Sequence, residues 1–201
     1  SEKTTLKPNS PYAAAKLYAH EITRIYRESF GIFASTGILF NHESEVRGQT
    51  FVTRKITKGL VKIKLGKQKK LVLGNLYAKR DWGYAPDYVE SMWKILQHKK
   101  PDDFVIATGK SYSVKDFIIQ ACKILGIEIK FSGKGLNEFG YTKNGDKIIE
   151  VNKRYFRPLE VNLLRGNYSK ARKTIRWRPK TSFNQLVKIM IDYDYQNEIK
   201  S

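Results

Sequence analysis

Apolar positions along this chain fall into two periods. From residue 11 to residue 30, Leu17, Ile22, Ile25, Tyr26 and Phe30 form one side of a long helix, with Ser10-Pro11 as its start signal and Gly31 as its stop. Residues 32–40 are instead an almost unbroken apolar run, the pattern of a strand buried on both faces of a parallel sheet. A polar loop over 41–48 is expected at its C-terminal end, where open α/β sheets bind ligands. Then follow a helix over about 50–65, a strand over 70–73 turning at Gly74-Asn75, a tight loop at Arg80-Asp81-Trp82-Gly83, and a helix from Pro86 to His98. A strand over 103–108 precedes Ser113-Val114-Lys115-Asp116, a capping box with Asp for the usual Glu, which opens a helix ending at Gly126. The remainder reads as a strand over 127–131, a glycine- and asparagine-rich surface loop over 132–147, a strand over 148–151, an irregular stretch over 154–160, and helices over 169–174 and from a Ser182 cap to about Asn197.

Alternating strands and helices predict an α/β fold, yet the order begins with a helix. A doubly wound domain begins with a strand and a glycine-rich phosphate turn, and no such turn follows an expected strand here. The chain therefore reads as the second part of a Rossmann-like doubly wound fold plus a smaller mixed α/β substrate-binding domain. Residues 1–45 are assigned to the cofactor domain, with returning segments near 75–110, and residues 46–201 mostly to the substrate domain.

Composition sets bounds on this picture. With 201 residues, 41% of them hydrophobic, the chain can bury a sizeable core. Its single cysteine, Cys122, lies in a helical pattern, so an internal disulfide is excluded and a buried thiol in the reducing cytoplasm is expected. No apolar run approaches the roughly 20 residues of a membrane span, and no signal peptide is visible. Lysine and arginine number 38 against 19 acids, a net charge of +19, and no acid occurs between Val46 and Arg80. The cations are dispersed over nearly every element, with no zinc-ligand cluster or aromatic RNA-binding signature, so a lysine-rich solvated surface is expected rather than a nucleic-acid site. A few of them suffice for a diphosphate-bearing small molecule.

The candidate chemistry starts at Ser10-Pro11-Tyr12-Ala13-Ala14-Ala15-Lys16. Tyr12 and Lys16 are i and i+4 on the first turns of the first helix. Tyrosine is a poor base at its ordinary pKa of about 10. An ammonium one turn away and the positive end of the helix dipole both favour the phenolate, which makes a proton-transfer group near neutral pH. The plain alternative is an amphipathic helix start, with the ring inward and lysine outward. Asn41-His42-Glu43-Ser44 and Arg47-Gly48 bring an amide, an imidazole and a guanidinium to one loop. No second His or Cys stands at ligand spacing from His42, so no metal is expected. A bound anion would account for Arg54-Lys55 at a helix start, Asp81 is placed to orient Arg80, and Arg157 and Glu160 flank a rigid Pro158-Leu159 turn. Arginine binds phosphate oxygens in bidentate fashion, and glutamate accepts from ribose hydroxyls.

In order and spacing these clusters resemble the C-terminal part of the GDP-mannose 4,6-dehydratases, extended members of the short-chain dehydrogenase/reductase superfamily. The matching stretches are 10–16, 37–44, 51–56, 73–76, 78–83, 103–109 and 157–161, with Asn41-His42-Glu43-Ser44 and Arg80-Asp81-Trp82-Gly83 the most distinctive. The resemblance implies an NADP-dependent lyase that converts GDP-mannose to GDP-4-dehydro-6-deoxymannose by internal hydride transfer and loss of water. It places Tyr12 and Lys16 in catalysis and at the nicotinamide ribose, and His42 and Arg47 at the cofactor. Asn41, Lys55, Arg80 and Arg157 fall near the GDP-sugar, with the arginines on its diphosphate and Glu160 on its ribose. A threonine and a glutamate that assist elimination in the family would lie before Ser1, and the chain alone is expected to be inactive. A cytoplasmic homo-oligomer is implied for the whole protein, although Glu45-Val46-Arg47-Gly48 departs from the usual Pro-Arg-Arg-Gly, Tyr84 stands where histidine is common, and 136–140 also varies. Two other readings stay open here: a different nucleotide-sugar epimerase, dehydratase or reductase on the same scaffold, and a non-catalytic basic nucleotide-binding module.

Overall fold

The computed structural model describes residues 1–156 and 161–200. In chain order the elements are α1 (Pro11–Phe30), β1 (Gly37–Leu39), β2 (Asn41–Glu43), α2 (Val52–Lys64), β3 (Leu71–Leu73), β4 (Lys79–Arg80), β5 (Trp82–Tyr84), α3 (Ala85–Leu96), β6 (Phe104–Ile106), β7 (Tyr112–Ser113), α4 (Val114–Ile124), β8 (Ile129–Ser132), β9 (Phe139–Thr142), β10 (Lys147–Val151), α5 (Ser169–Thr174) and α6 (Phe183–Lys200). Strand–helix alternation with parallel ladders bears out the α/β expectation. Two compact units divide the chain.

The first unit comprises Ser1–His42, Asp81–Lys110 and Arg165–Lys180. Helix α1 has the ends its sequence signals: the Ser10 side chain accepts from Ala13 N at 3.1 Å, Pro11 opens the helix, and Gly31 closes it in the left-handed region at φ 63°. Arg27 near its end reaches Asp103 with two hydrogen bonds of 2.8 and 2.9 Å. Strands β1 and β6 run parallel, Gly37 opposite Phe104 and Leu39 opposite Ile106. Behind them Tyr88, Ile95, Phe104, Ile106, Ala171, Ile175 and Trp177 form one buried cluster. The indole N–H of Trp177 donates to the Asp87 carbonyl at 2.8 Å, so the ring is buried without an orphaned donor.

Only Gly37–Leu39 of the 32–40 run is strand. Its first half spends its backbone groups elsewhere: the Ala34 carbonyl accepts from Arg27, and the Thr36 N–H donates to Asp103. The expected loop at 41–48 begins as β2, and the expected tight loop at 80–83 is strand on either side of Asp81. Asp81 is fully buried and does not orient Arg80. It accepts from Thr108 N, Thr108 Oγ1, Gly109 N and Gly166 N at 2.6–3.1 Å, gathering three backbone amides from two other segments.

The second unit comprises Glu43–Arg80, Ser111–Leu164 and Thr181–Ser201. Its sheet has the order β3-β10-β9-β8, with β3 parallel to β10 and the other pairs antiparallel. The expected loop at 132–147 therefore contains the middle strand β9, with a 3₁₀ turn at Gly135–Asn137 before it. Helices α2, α4 and α6 pack against one another through Ile56, Leu60, Phe117, Ile118, Leu186, Val187 and Met190, all essentially inaccessible. The capping box of α4 forms as its sequence predicts, Asp116 N to Ser113 Oγ at 3.0 Å and Ser113 N to Asp116 Oδ2 at 2.8 Å. Cys122 is buried on α4, and desolvation pushes its thiol up to about 12. No helix among the described residues is long and apolar enough to cross a membrane.

Candidate active site

The first unit holds four of the candidate residues. Tyr12 and Lys16 lie on the first turns of α1, with the Lys16 ammonium 5.7 Å from the centre of the Tyr12 ring. Tyr12 is 73% exposed, so the packing role that its sequence position also allows is not the one it has among the described residues. The first turn of α1 carries no acid that would cancel the lysine. Asn41 and His42 follow on β2, both half-buried. His42 Nδ1 is 2.9 Å from the Phe40 carbonyl. A carbonyl only accepts, so Nδ1 carries a proton and donates here. The ring packs 5.2 Å from that of Tyr88.

The second unit holds Arg47, Lys55 and Arg80. Arg47 lies with its guanidinium carbon 3.5 Å from the Phe51 ring centre, and its Nε is 3.2 Å from the Glu43 carboxylate. Glu43 is itself buried and accepts from Thr53 Oγ1 at 2.6 Å, so the 43–47 loop is pinned to the start of α2. Lys55 sits over the Tyr155 ring at 3.6 Å. Arg80 Nη1 donates to the Lys79 and Val161 carbonyls at 2.9 and 2.6 Å. Arg157 and Glu160 lie outside the described residues. Among the described residues there is no group of three His, Cys, Asp or Glu side chains that would hold a metal.

Arg54 corrects its sequence reading. It is buried and does not await an anion: Nε donates to both Asp194 oxygens at 2.9 and 3.1 Å, and Nη1 donates to the Glu45 and Arg47 carbonyls. Thr57 adds a 2.6 Å bond to Asp194. Burial pushes the Asp194 carboxyl up from its ordinary range, against the pull of Thr57 and Arg54. Arg54 thus fixes the 45–47 backbone that carries Arg47. Its partner is 140 residues away, and no local pattern marks that pairing. A similar trio around the buried Glu138, with Lys115 at 2.7 Å and Tyr77 at 3.0 Å, also escapes local reading. Burial pulls the Lys115 ammonium down, and Glu138 outweighs it to leave that group raised.

A sequence profile described as "GDP-mannose 4,6 dehydratase" matches residues 1–190. The chain belongs to that family. It is 51% identical to GDP-mannose 4,6 dehydratase of Dictyostelium discoideum, over 98% of this chain and 55% of that protein. It is 50% identical to the Vibrio cholerae enzyme of the same name, over 97% of this chain and 55% of the other. The chain thus spans about half the length of the relatives it matches. Among solved structures it is similar to RMD from Pseudomonas aeruginosa complexed with NADPH, at TM-score 0.81 and 17% identity over 98% of this chain and 59% of that one. It also resembles dTDP-glucose 4,6-dehydratase from Bacillus anthracis in complex with NAD, at TM-score 0.79 and 21% identity over 99% and 56%. At such identities the likeness is one of fold, and it agrees with the Rossmann-like second part expected above.

Proposed function

We propose that the protein carrying this chain is a GDP-mannose 4,6-dehydratase, an NADP-dependent lyase that forms GDP-4-dehydro-6-deoxymannose and water from GDP-mannose. What carries the reading is the exposed Tyr12–Lys16 pair at the start of α1, in a chain half identical to proteins of that name. The residues present fit a nicotinamide cofactor: a phenol and an ammonium lie side by side in the open, with no acid in the same turn. The NADPH bound in the RMD complex favours the phosphorylated form of that cofactor. When bound, that cofactor would supply the internal hydride-transfer chemistry of the reaction.

Tyr12 takes the proton of the sugar's 4-hydroxyl, and Lys16 holds the nicotinamide ribose. His42 and Arg47 assist on the cofactor side, Arg47 being steadied by Glu43 and Phe51. Asn41, Lys55, Arg80, Arg157 and Glu160 serve the GDP-sugar, the cations offsetting its diphosphate charge. Elimination of water across C5 and C6 is assigned to none of these side chains. The whole protein is read as a cytoplasmic homo-oligomer. The buried Cys122 thiol suits a reducing compartment.

Tyr12→Phe in the whole protein tests the assignment. General-base contributions are about 10²–10⁴-fold, so kcat falls by that much while GDP-mannose binding holds, because the ring is kept. A phenylalanine variant with near-normal turnover removes Tyr12 from the mechanism.

A further inference from the structure

Lysines on α2 are held by two different kinds of partner. Lys58 and Lys62, one and two turns beyond Lys55, approach the Glu198 carboxylate at 3.6 and 3.8 Å. Lys55 meets a ring instead, its ammonium 3.6 Å from the centre of Tyr155. A carboxylate neutralises a lysine and competes with an arriving anion. An aromatic face attracts the cation through its quadrupole and leaves the full positive charge available.

The ring is put there by backbone fit. Asn152 N donates to the Leu73 carbonyl at 2.9 Å at the end of β3, and the Asn152 side chain caps the 3₁₀ turn Lys153–Tyr155. The Tyr155 carbonyl then passes so close to Gly74 that a Cβ there would collide with it. Gly74 belongs to the Leu73-Gly74-Asn75-Leu76 stretch, to which the sequence assigned a likeness but no role. On the first turns of α2 the opposite side of the contact is equally fixed, with Lys55 N donating to the Phe51 carbonyl at 2.8 Å.

We propose that Tyr155 is a positioning residue: its ring, seated by Gly74, holds the Lys55 ammonium with its charge intact for the diphosphate of the nucleotide sugar. The proposal rests on the reading of Lys55 as a substrate contact. Tyr155 is half exposed, so replacing it does not open the core.

The test uses the whole protein, GDP-mannose and two substitutions at position 155. A ring beneath an ammonium shifts the lysine ε-methylene protons upfield in NMR spectra. Tyr155→Phe keeps that Lys55 shift and the wild-type affinity. Tyr155→Leu abolishes the shift and weakens GDP-mannose about two- to five-fold, as expected for a partly exposed cation–π contact, at unchanged melting temperature. Lys55→Met weakens binding at least as much. If Tyr155→Leu or Lys55→Met binds like wild type, the positioning role is wrong while the function above stands. If the wild-type whole protein binds no GDP-mannose, the substrate reading of Lys55 falls and the proposal with it.

Discussion

Helices α1 and α2 both carry candidate site residues in their first turns and hold them by opposite means. None of the 20 residues of α1 is buried, whereas α2 buries Thr53, Arg54, Ile56, Thr57, Gly59, Leu60 and Val61 within 13. Ser10, Pro11 and Gly31 set the ends of α1, and on its surface Arg24 bridges Glu21 and Glu28. In α2 the N-cap residue is Phe51, which offers no side-chain cap, and the first turn is anchored from outside the helix by Glu43 and Asp194. Within this chain, chemistry on the first turns of α1 is therefore separable from stability, while on α2 the two are tied.

The largest effect that would break this contrast is on the α2 side. Asp194→Ala leaves Arg54 buried without its carboxylate partner, which costs about 3–5 kcal/mol. The loss is read in urea melts, with the Cys122 thiol as a reporter inside the same unit. On the exposed face of α1, Lys16→Ala should cost under about 0.5 kcal/mol by the same measurement. A change of less than about 1 kcal/mol for Asp194→Ala would mean that α2 is no more tied to its surroundings than α1.

The same contrast explains what the sequence disclosed. The bounds of α1 and the capping box of α4 were legible because serine, proline, glycine and aspartate act within one turn. Residues 41–43 and 80–83 read as loops because short strands with polar residues and glycine look like loops until their partners are known. Asp81 makes the point: beside Arg80 it resembles a local ion-pair partner, yet it is committed to amides 27 and 85 residues away. Arg54 failed in the same way, since an arginine at a helix start suggests an anion only while Asp194 is out of view. For the site, Tyr12 and Lys16 were legible as a four-residue spacing, whereas the Tyr155 ring under Lys55 depends on how Asn152 meets Leu73.

A smaller effect separates the units by sign. Burial pushes the Asp103 carboxyl up, but its Arg27 hydrogen bonds and charge prevail and hold it below the usual carboxylate range. Its contribution is present above about pH 4 and is lost as the pH falls further. Asp194 is raised, so the folded form binds its proton more tightly than the unfolded chain does. Stability on its account recovers on acidification from neutral pH toward about 4. Protonation and truncation differ here, because a protonated Asp194 still accepts from Arg54 and an alanine does not. Urea melts from pH 7 to pH 3 check both signs: Asp103→Asn should flatten the loss at the acid end, and Asp194→Asn should remove the gain. Tryptophans 82, 93 and 177 all belong to the first unit, which makes their fluorescence its reporter. An Asp103→Asn profile parallel to wild type below pH 4 would remove that group from the account.

The smallest effect is the sharpest test of how α1 is held. Ser10 accepts from Ala13 N through its hydroxyl and from Ala14 N through its carbonyl. Ser10→Ala removes the first bond, a change that costs about 1 kcal/mol at a helix N-cap. Because α1 buries nothing, that loss should remain local. The Ala13 amide should exchange with solvent about five-fold faster, core amides of β6 should not change, and the global melting point should move little. Ser113→Ala removes the same kind of bond at α4, but there the cap sits on a helix that buries Phe117, Ile118, Ala121 and Cys122. Its cost should register in the melting point itself. Ser10→Asp, which restores an acceptor and suits the helix dipole, should return Ala13 exchange to its original rate. A Ser10→Ala variant that lowers the melting point as far as Ser113→Ala would show the first turn of α1 to be anchored by contacts beyond its own chain signals, and the separation of chemistry from stability drawn for Tyr12 would no longer hold.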